Sequence, residues 1–222
     1  MKILIAGFQR SGTTMTRRLL QYHPNVDRIF HEQKILNKGK TKKDLLIYAR
    51  NLGIKDPSSS IWGDKVPFYD KNPLRQIKYI NRWNGAWGKQ ARTIYLIRHP
   101  VDIAISTVRV HMGKSIKDAI SRQNSSVPKV VEELKTMNNV LIVSFESLVT
   151  NPKDVLKKIF KFCDLNSSDE ILDIVCSAKK EQLRYFDSIN ADRAFAYRKQ
   201  VGLKIDIEYY DYDKIRRLGY VI

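Results

Sequence analysis

Cysteine is nearly absent: Cys163 and Cys176 are the only two in 222 residues. Two thiols without a dense spacing pattern exclude a disulfide framework and read as small hydrophobes in helical stretches of a chain kept reduced. Long apolar runs are missing too. Nothing approaches the roughly 18 residues of a membrane-spanning helix, and the run Ile3–Phe8 is too short for a signal-peptide core before glycine and arginine interrupt it. The expectation is a soluble, cytoplasmic chain, unless a targeting segment has been removed. Acidic residues are the minority, 23 against 40 Lys and Arg, for a formal charge of +17. Such an excess speaks of partners (nucleic acid, an anionic membrane face, an acidic polymer or a polyanionic cofactor) and little of fold. With 43% apolar and 28% charged residues, the composition is globular and argues against disorder. The length suits a single domain over residues 1–222.

Neither a repeat nor a low-complexity tract interrupts the chain. Three near-continuous apolar runs, Lys2–Ala6, Thr93–Ile97 and Val140–Phe145, have the pattern of strands covered on both faces. Helical patterns lie between and after them at Thr13–Tyr22, Lys42–Asn51, Pro73–Trp83, Val101–Met112, Lys129–Met137, Pro152–Cys163, Ser168–Ala178 and Tyr212–Leu218. "DPSSS" (Asp56–Ser60) and "SRQNSS" (Ser121–Ser126) read as loops. Strands alternating with helices predict a three-layer α/β fold, a parallel central sheet flanked by helices. Ligands of such sheets sit at the carboxyl ends of the strands, so Gly7–Thr14, Arg98–Ser106 and Glu146 are expected to converge.

The first of these segments, "GFQRSGTT", looks like a phosphate-binding loop with one part missing. A Walker A loop carries lysine at the position of Thr13, whereas the nearest basic group here is Arg10. Gly7 and Gly12 still allow the backbone to approach an anion, and the N–H groups opening a helix concentrate positive charge. Ser11, Thr13 and Thr14 add hydroxyls, and Arg10 adds a guanidinium suited to phosphate oxygens. In "YLIRHPVDIAIS", a strand ends in Arg98 and a helix follows with Ser106, a pair able to clamp a second phosphate.

Together, "FQRSGTT" and "IRHPVDIAIS" resemble the sulfotransferases that use 3′-phosphoadenosine 5′-phosphosulfate (PAPS), whose fold is P-loop-like. "WGDKVPFY" (Trp62–Tyr69) is similar to that family's G-[DE]-K-[TS]-P-x-Y segment, and "VSFESLVTNPKDVLKKIFKFCDL" to its Y-E-x-L…N-P stretch. The resemblance runs from Ile3 to about Leu165. It implies that the first loop, with Arg10, Ser11, Gly12, Thr13 and Thr14, wraps the phosphosulfate, and that Arg98 and Ser106 hold the 3′-phosphate. The product nucleotide would be 3′-phosphoadenosine 5′-phosphate (PAP). A sulfuryl group carries less charge than a phosphoryl group, so fixed donors can serve without a metal.

By the same resemblance Lys65 lies at the active site, its other reading being a solvated surface cation. Arg10 would support the leaving phosphate. Glu32, in "RIFHEQK", would be the base, with His31 as its rival; His99 and His111 match no such position. Glu146 is expected to cap the helix starting near Ser147, and Asp64 to pair with a cation. Family members cover the nucleotide with a C-terminal basic loop, which puts Arg198 and Lys199 in the cofactor site. The lysine-rich run from Lys34 to Lys43 is either a solvated face or a surface that steers an anionic acceptor, such as an acidic glycan or peptide. Small phenols or lipids stand as alternative acceptors. Two rival functions are a nucleotide kinase with an atypical P-loop, which would need magnesium and a lysine, and a basic nucleic-acid-binding protein, for which no recognised motif is present.

Overall fold

The computed structural model describes residues 1–39, 41–69, 72–110 and 116–177. Along them run β1 (Lys2–Phe8), α1 (Thr13–Gln21), β2 (Val26–His31), α2 (Lys42–Asn51), β3 (Ile61–Phe68), α3 (Pro73–Trp87), β4 (Ala91–Ile97), α4 (Pro100–Val110), α5 (Ile116–Leu134), β5 (Val140–Ser144), α6 (Phe145–Thr150), α7 (Pro152–Phe162) and α8 (Asp169–Cys176). The strands form one parallel sheet in the order β2-β3-β1-β4-β5. Helices cover both faces, giving the three-layer α/β fold expected from the alternation of patterns.

β1 lies at the centre and is buried at every residue. Its side chains alternate between two cores, as strand geometry requires. Leu4, Ala6 and Phe8 join Trp62, Trp83, Trp87 and Val130 on the α3–α5 side. Ile3 and Ile5 join Met15, Leu19, Leu156 and Phe160 on the α1–α7 side. Each such large side chain contributes about 1.5–3 kcal/mol by leaving water.

Two strands lie where the sequence pattern showed none. β2 is an edge strand, with Asp27, Arg28 and His31 exposed, so its apolar run is broken. β3 carries Asp64, Lys65 and Pro67, residues that do not look like a central strand. Each is accommodated by a specific partner or position. β2 ends opposite Lys65, two residues before Pro67, so the missing proline N–H removes no bond from that side of the ladder. In the register Ile3↔Gly63, a Cβ at Gly63 would stand 1.8 Å from the Ile3 carbonyl oxygen. Gly63→Ala is therefore expected to cost more than about 4 kcal/mol and to leave little folded protein, as thermal unfolding would show.

"SRQNSS" is helical, contrary to the loop reading. It lies within α5, where Gln123 and Ser126 are buried and the Gln123 amide donates to the Pro100 carbonyl at 3.2 Å. Tertiary partners override the weak local preference of Ser and Asn. Pro128, directly before the helix expected at Lys129–Met137, also falls inside α5 rather than opening a helix. The helix expected at Tyr212–Leu218 lies outside the described residues.

Candidate active site

α1 begins directly after β1, and its start is left open. Gly12 is its N-cap, with φ 98 and no side chain to offer, and its first turn holds no acidic residue. By contrast, Thr41 and Asp44 form a capping box on α2, Asn72 caps α3, Ser144 caps α6, and α7 and α8 have acids in their first turns. The first N–H groups of α1 have no intrahelical partner, so this end of the sheet presents a positive dipole that no side-chain cap or first-turn acid satisfies among the described residues. A side chain could not cap it from Gly12: a Cβ there would fall 2.4 Å from the Phe145 ring. Beside it the buried Ser11 hydroxyl finds no hydrogen-bond partner among the described residues.

Arg10, in the left-handed conformation at φ 68, donates from Nε to Ser106 Oγ at 2.8 Å. Arg98, at the end of β4, donates from Nη1 to the Arg10 carbonyl at 3.2 Å and lies over the Phe145 ring at 4.2 Å. The loop, the strand-end arginine and the α4 serine thus meet, as their positions at carboxyl strand ends predicted. Phe145, which the sequence presented as the end of a strand, is the first residue of α6 and the platform under Arg98; nothing in its local pattern signalled that.

The second cluster gathers around Lys65. Its ammonium is buried and donates to Glu32 Oε1 at 2.6 Å and to Thr14 Oγ1 at 3.3 Å. Tyr69, quoted in the "WGDKVPFY" segment without a role, donates from its hydroxyl to Glu32 Oε2 at 3.4 Å. Burial pushes the Glu32 carboxyl up, but the hydrogen bond and charge of Lys65 outweigh it and hold the group below its ordinary value. For Lys65 burial dominates over the attraction of Glu32, so its pKa is lowered. His31 Nε2 is 4.0 Å from Glu32, and burial followed by the charge of Lys65 lowers its pKa. Lys65 is therefore not a surface cation; it is the charge against which Glu32 is held.

Two of the expected acid roles are corrected. Glu146 does not cap α6: Ser144 does, accepting from the Ser147 N–H at 3.1 Å. The Glu146 carboxylate instead accepts from the His99 N–H at 2.8 Å and the Ser144 hydroxyl at 3.0 Å, bracing the turn after Arg98. Asp64 accepts backbone N–H groups from Gln33 and Ile35 in place of a cation's hydrogen bond. His111, Arg198 and Lys199 lie outside the described residues. The lysine run is also divided. Lys34 follows Glu32 closely, but the Lys42 ammonium lies 5.9 Å from the Trp87 ring, beside Lys2 at the amino end of the sheet.

A parallel α/β sheet with an open helix start, a strand-end arginine and a buried lysine paired with a half-buried glutamate at its carboxyl end is an arrangement suited to holding an anionic group. The family follows from the whole chain: the sulfotransferase domain profile matches residues 1–206, and the protein belongs to the sulfotransferase family. It is thus a transferase by kinship. Among solved structures, the sulfotransferase domain of the Synechococcus PCC 7002 olefin synthase superposes with a TM-score of 0.69 at 17% identity, over 100% of this chain and 96% of that one. The sulfotransferase domain of the curacin biosynthetic pathway gives 0.66 at 16%, over 99% and 98%. A mouse sulfotransferase complexed with PAP gives 0.55 at 18%, over 98% and 81%. No curated protein matches the chain. Among the described residues, no helix is long and apolar enough to cross a membrane.

Proposed function

We propose that the protein transfers the sulfuryl group of PAPS to an acceptor hydroxyl, with Glu32 as the base. The observation that carries this reading is the pairing of buried Lys65 with half-buried Glu32, lying against Thr14 in the first turn of α1. A phosphosulfate fits that loop. The uncapped N–H groups of α1, the orphaned Ser11 hydroxyl and Arg10 are donors for its oxygens, and Arg98 and Ser106 are a second anion site for a 3′-phosphate. PAP in the structures of the mouse sulfotransferase and of retinol dehydratase supports the same donor.

In this reading the acceptor oxygen forms its bond to sulfur as the sulfur–oxygen bond to the 5′-phosphate breaks. Glu32 takes the acceptor proton, and Lys65 and Arg10 stabilise the charge that accumulates on the leaving phosphate. Lys65 also keeps Glu32 ionised in the resting protein. As its ammonium turns toward the leaving phosphate, its hold on Glu32 weakens and the carboxylate regains basicity, which couples proton transfer to bond cleavage. Transfer of ³⁵S from labelled PAPS to a panel of phenols, acidic peptides and glycans, run with EDTA, tests the reading. Labelled products support it; label retained in PAPS with every acceptor, despite PAP binding, argues against it.

If the acceptor is anionic, only the part of the lysine run near Glu32 can guide it. Lys34→Glu is expected to raise KM for an acidic peptide several-fold at low salt through lost attraction. Lys42→Glu, at the amino end of the sheet, should leave KM unchanged. Steady-state kinetics at two salt concentrations separates the cases.

A further inference from the structure

Asp64 is fully buried on β3, one residue before Lys65. Its two oxygens reach different points of one turn: Oδ1 accepts from the Gln33 N–H at 3.2 Å and Oδ2 from the Ile35 N–H at 3.1 Å. The same turn contains two non-glycine residues in the left-handed region, Glu32 at φ 58 and Lys34 at φ 50. Such residues hold that conformation only where their surroundings enforce it. On entry, the turn is fixed by the last sheet bond, from Glu32 N–H to the Lys65 carbonyl at 2.9 Å. On exit, Asp64 is what fixes it.

We propose that Asp64 is a positioning residue for Glu32: by clasping the backbone at 33 and 35, it holds Glu32 in the conformation that delivers its carboxylate to Lys65. The inference rests on Glu32 being the base, but the clasp can be observed without turnover. Two acids, one on β3 and one in the turn that follows β2, thus divide the work, one binding backbone and one facing the reacting groups.

A carboxylate is needed because both bonds require acceptors. Asparagine offers one oxygen and would turn its NH₂ toward the other N–H. Protonation has a similar effect, since one oxygen becomes a donor. Burial raises the Asp64 pKa to about 6 against the opposing backbone bonds of the turn, so the clasp is charged at neutral pH and weakens on mild acidification. The groups facing it are Arg17 from α1, Lys65 on its own strand, the backbone N–H of Lys34 in the turn and Tyr79 from α3. Glu32 and His31 lie beyond Lys65.

The stability consequence has the opposite sign. A carboxyl whose folded pKa lies above its unfolded value of about 3.9 is charged at a cost to the fold, a cost absent below both values and complete above about pH 6. Acidification through pH 6 therefore releases the turn without unfolding the protein through this group.

The test is a pH titration followed by NMR of carboxyl carbons and backbone amides, on wild type and Asp64→Asn, each also titrated with PAP. In wild type, the Gln33 and Ile35 amides and the Glu32 carboxyl should share an inflection near pH 6, above the intrinsic titration of Glu32. In Asp64→Asn that inflection should vanish. Exchange at Gln33 and Ile35 should quicken by about tenfold or more, as expected for losing a charge-assisted bond, with PAP affinity kept. Unchanged exchange and Glu32 titration in Asp64→Asn would overturn the proposal. So would a wild-type titration with no inflection at those amides, which decides the matter even if the variant does not fold. Turnover by Glu32→Gln is read separately: full activity there removes the base and leaves the clasp standing.

Discussion

Glu32→Gln is expected to lower turnover of PAPS by roughly 10²–10⁴-fold, the usual contribution of a positioned general base. PAP affinity should stay nearly constant. The amide is close in size to the carboxylate and can still accept from the Lys65 ammonium, which donates to Glu32 Oε1 at 2.6 Å in wild type. What it loses is the capacity to take a proton. A fall in kcat without a change in nucleotide binding is therefore the signature of the base; a fall in binding would mean that the side chain only organises the loop through Lys65 and Thr14. His31→Ala provides the contrast. His31 is half exposed and 4.0 Å from Glu32, so its removal should change kcat by less than about threefold, in keeping with a weak surface pair. If instead His31→Ala were the inactive variant and Glu32→Gln the active one, the roles would be exchanged.

Arg98→Ala is expected to weaken PAP binding by about 10–100-fold, the effect of losing a charge-assisted contact to a phosphate. The guanidinium also lies over Phe145 and donates to the Arg10 carbonyl, so its loss should loosen the loop as well as remove a charge. Arg98→Lys tests this division. A lysine supplies the charge but neither the planar stack nor the fork, and it should recover less than half of the lost binding free energy. Calorimetric titration of the three proteins with PAP measures both. Equal affinities would mean that Arg98 is a structural strut between β4 and the loop and that the 3′-phosphate is held elsewhere.

The residues that announced themselves in the sequence were those whose chemistry follows from local pattern. Strands β1 and β4 are apolar runs covered on both faces; β5, expected to be the same, is an apolar run at the sheet edge and mostly half-buried. The glycine loop and strand-end arginine sit where a parallel sheet delivers its ligands. The residues that did not were polar groups whose burial depends on distant partners. Asp64 and Lys65 made β3 look unlike a strand, yet Asp64 is satisfied by a turn 29 and 31 residues earlier and Lys65 by Glu32 and Thr14. β2 was hidden by the exposed side chains of a sheet edge. The misreading of Glu146 has the same cause. Its position suited a helix cap, but the N–H it binds belongs to His99, at the end of the neighbouring strand. Local pattern located the anion-binding half of the site. The proposed proton-transfer half, Glu32 with Lys65, rested on family resemblance and took physical form only with the β2–β3 pairing; Tyr69 joined it only in the structure.

Calorimetric titration of the wild-type protein with PAP, and in parallel with ATP and magnesium, tests the central claim most directly. PAP is expected to bind at micromolar concentration without magnesium, and ATP much more weakly. Preference for magnesium–ATP, or no heat with either nucleotide, would contradict that claim and remove PAPS as the donor.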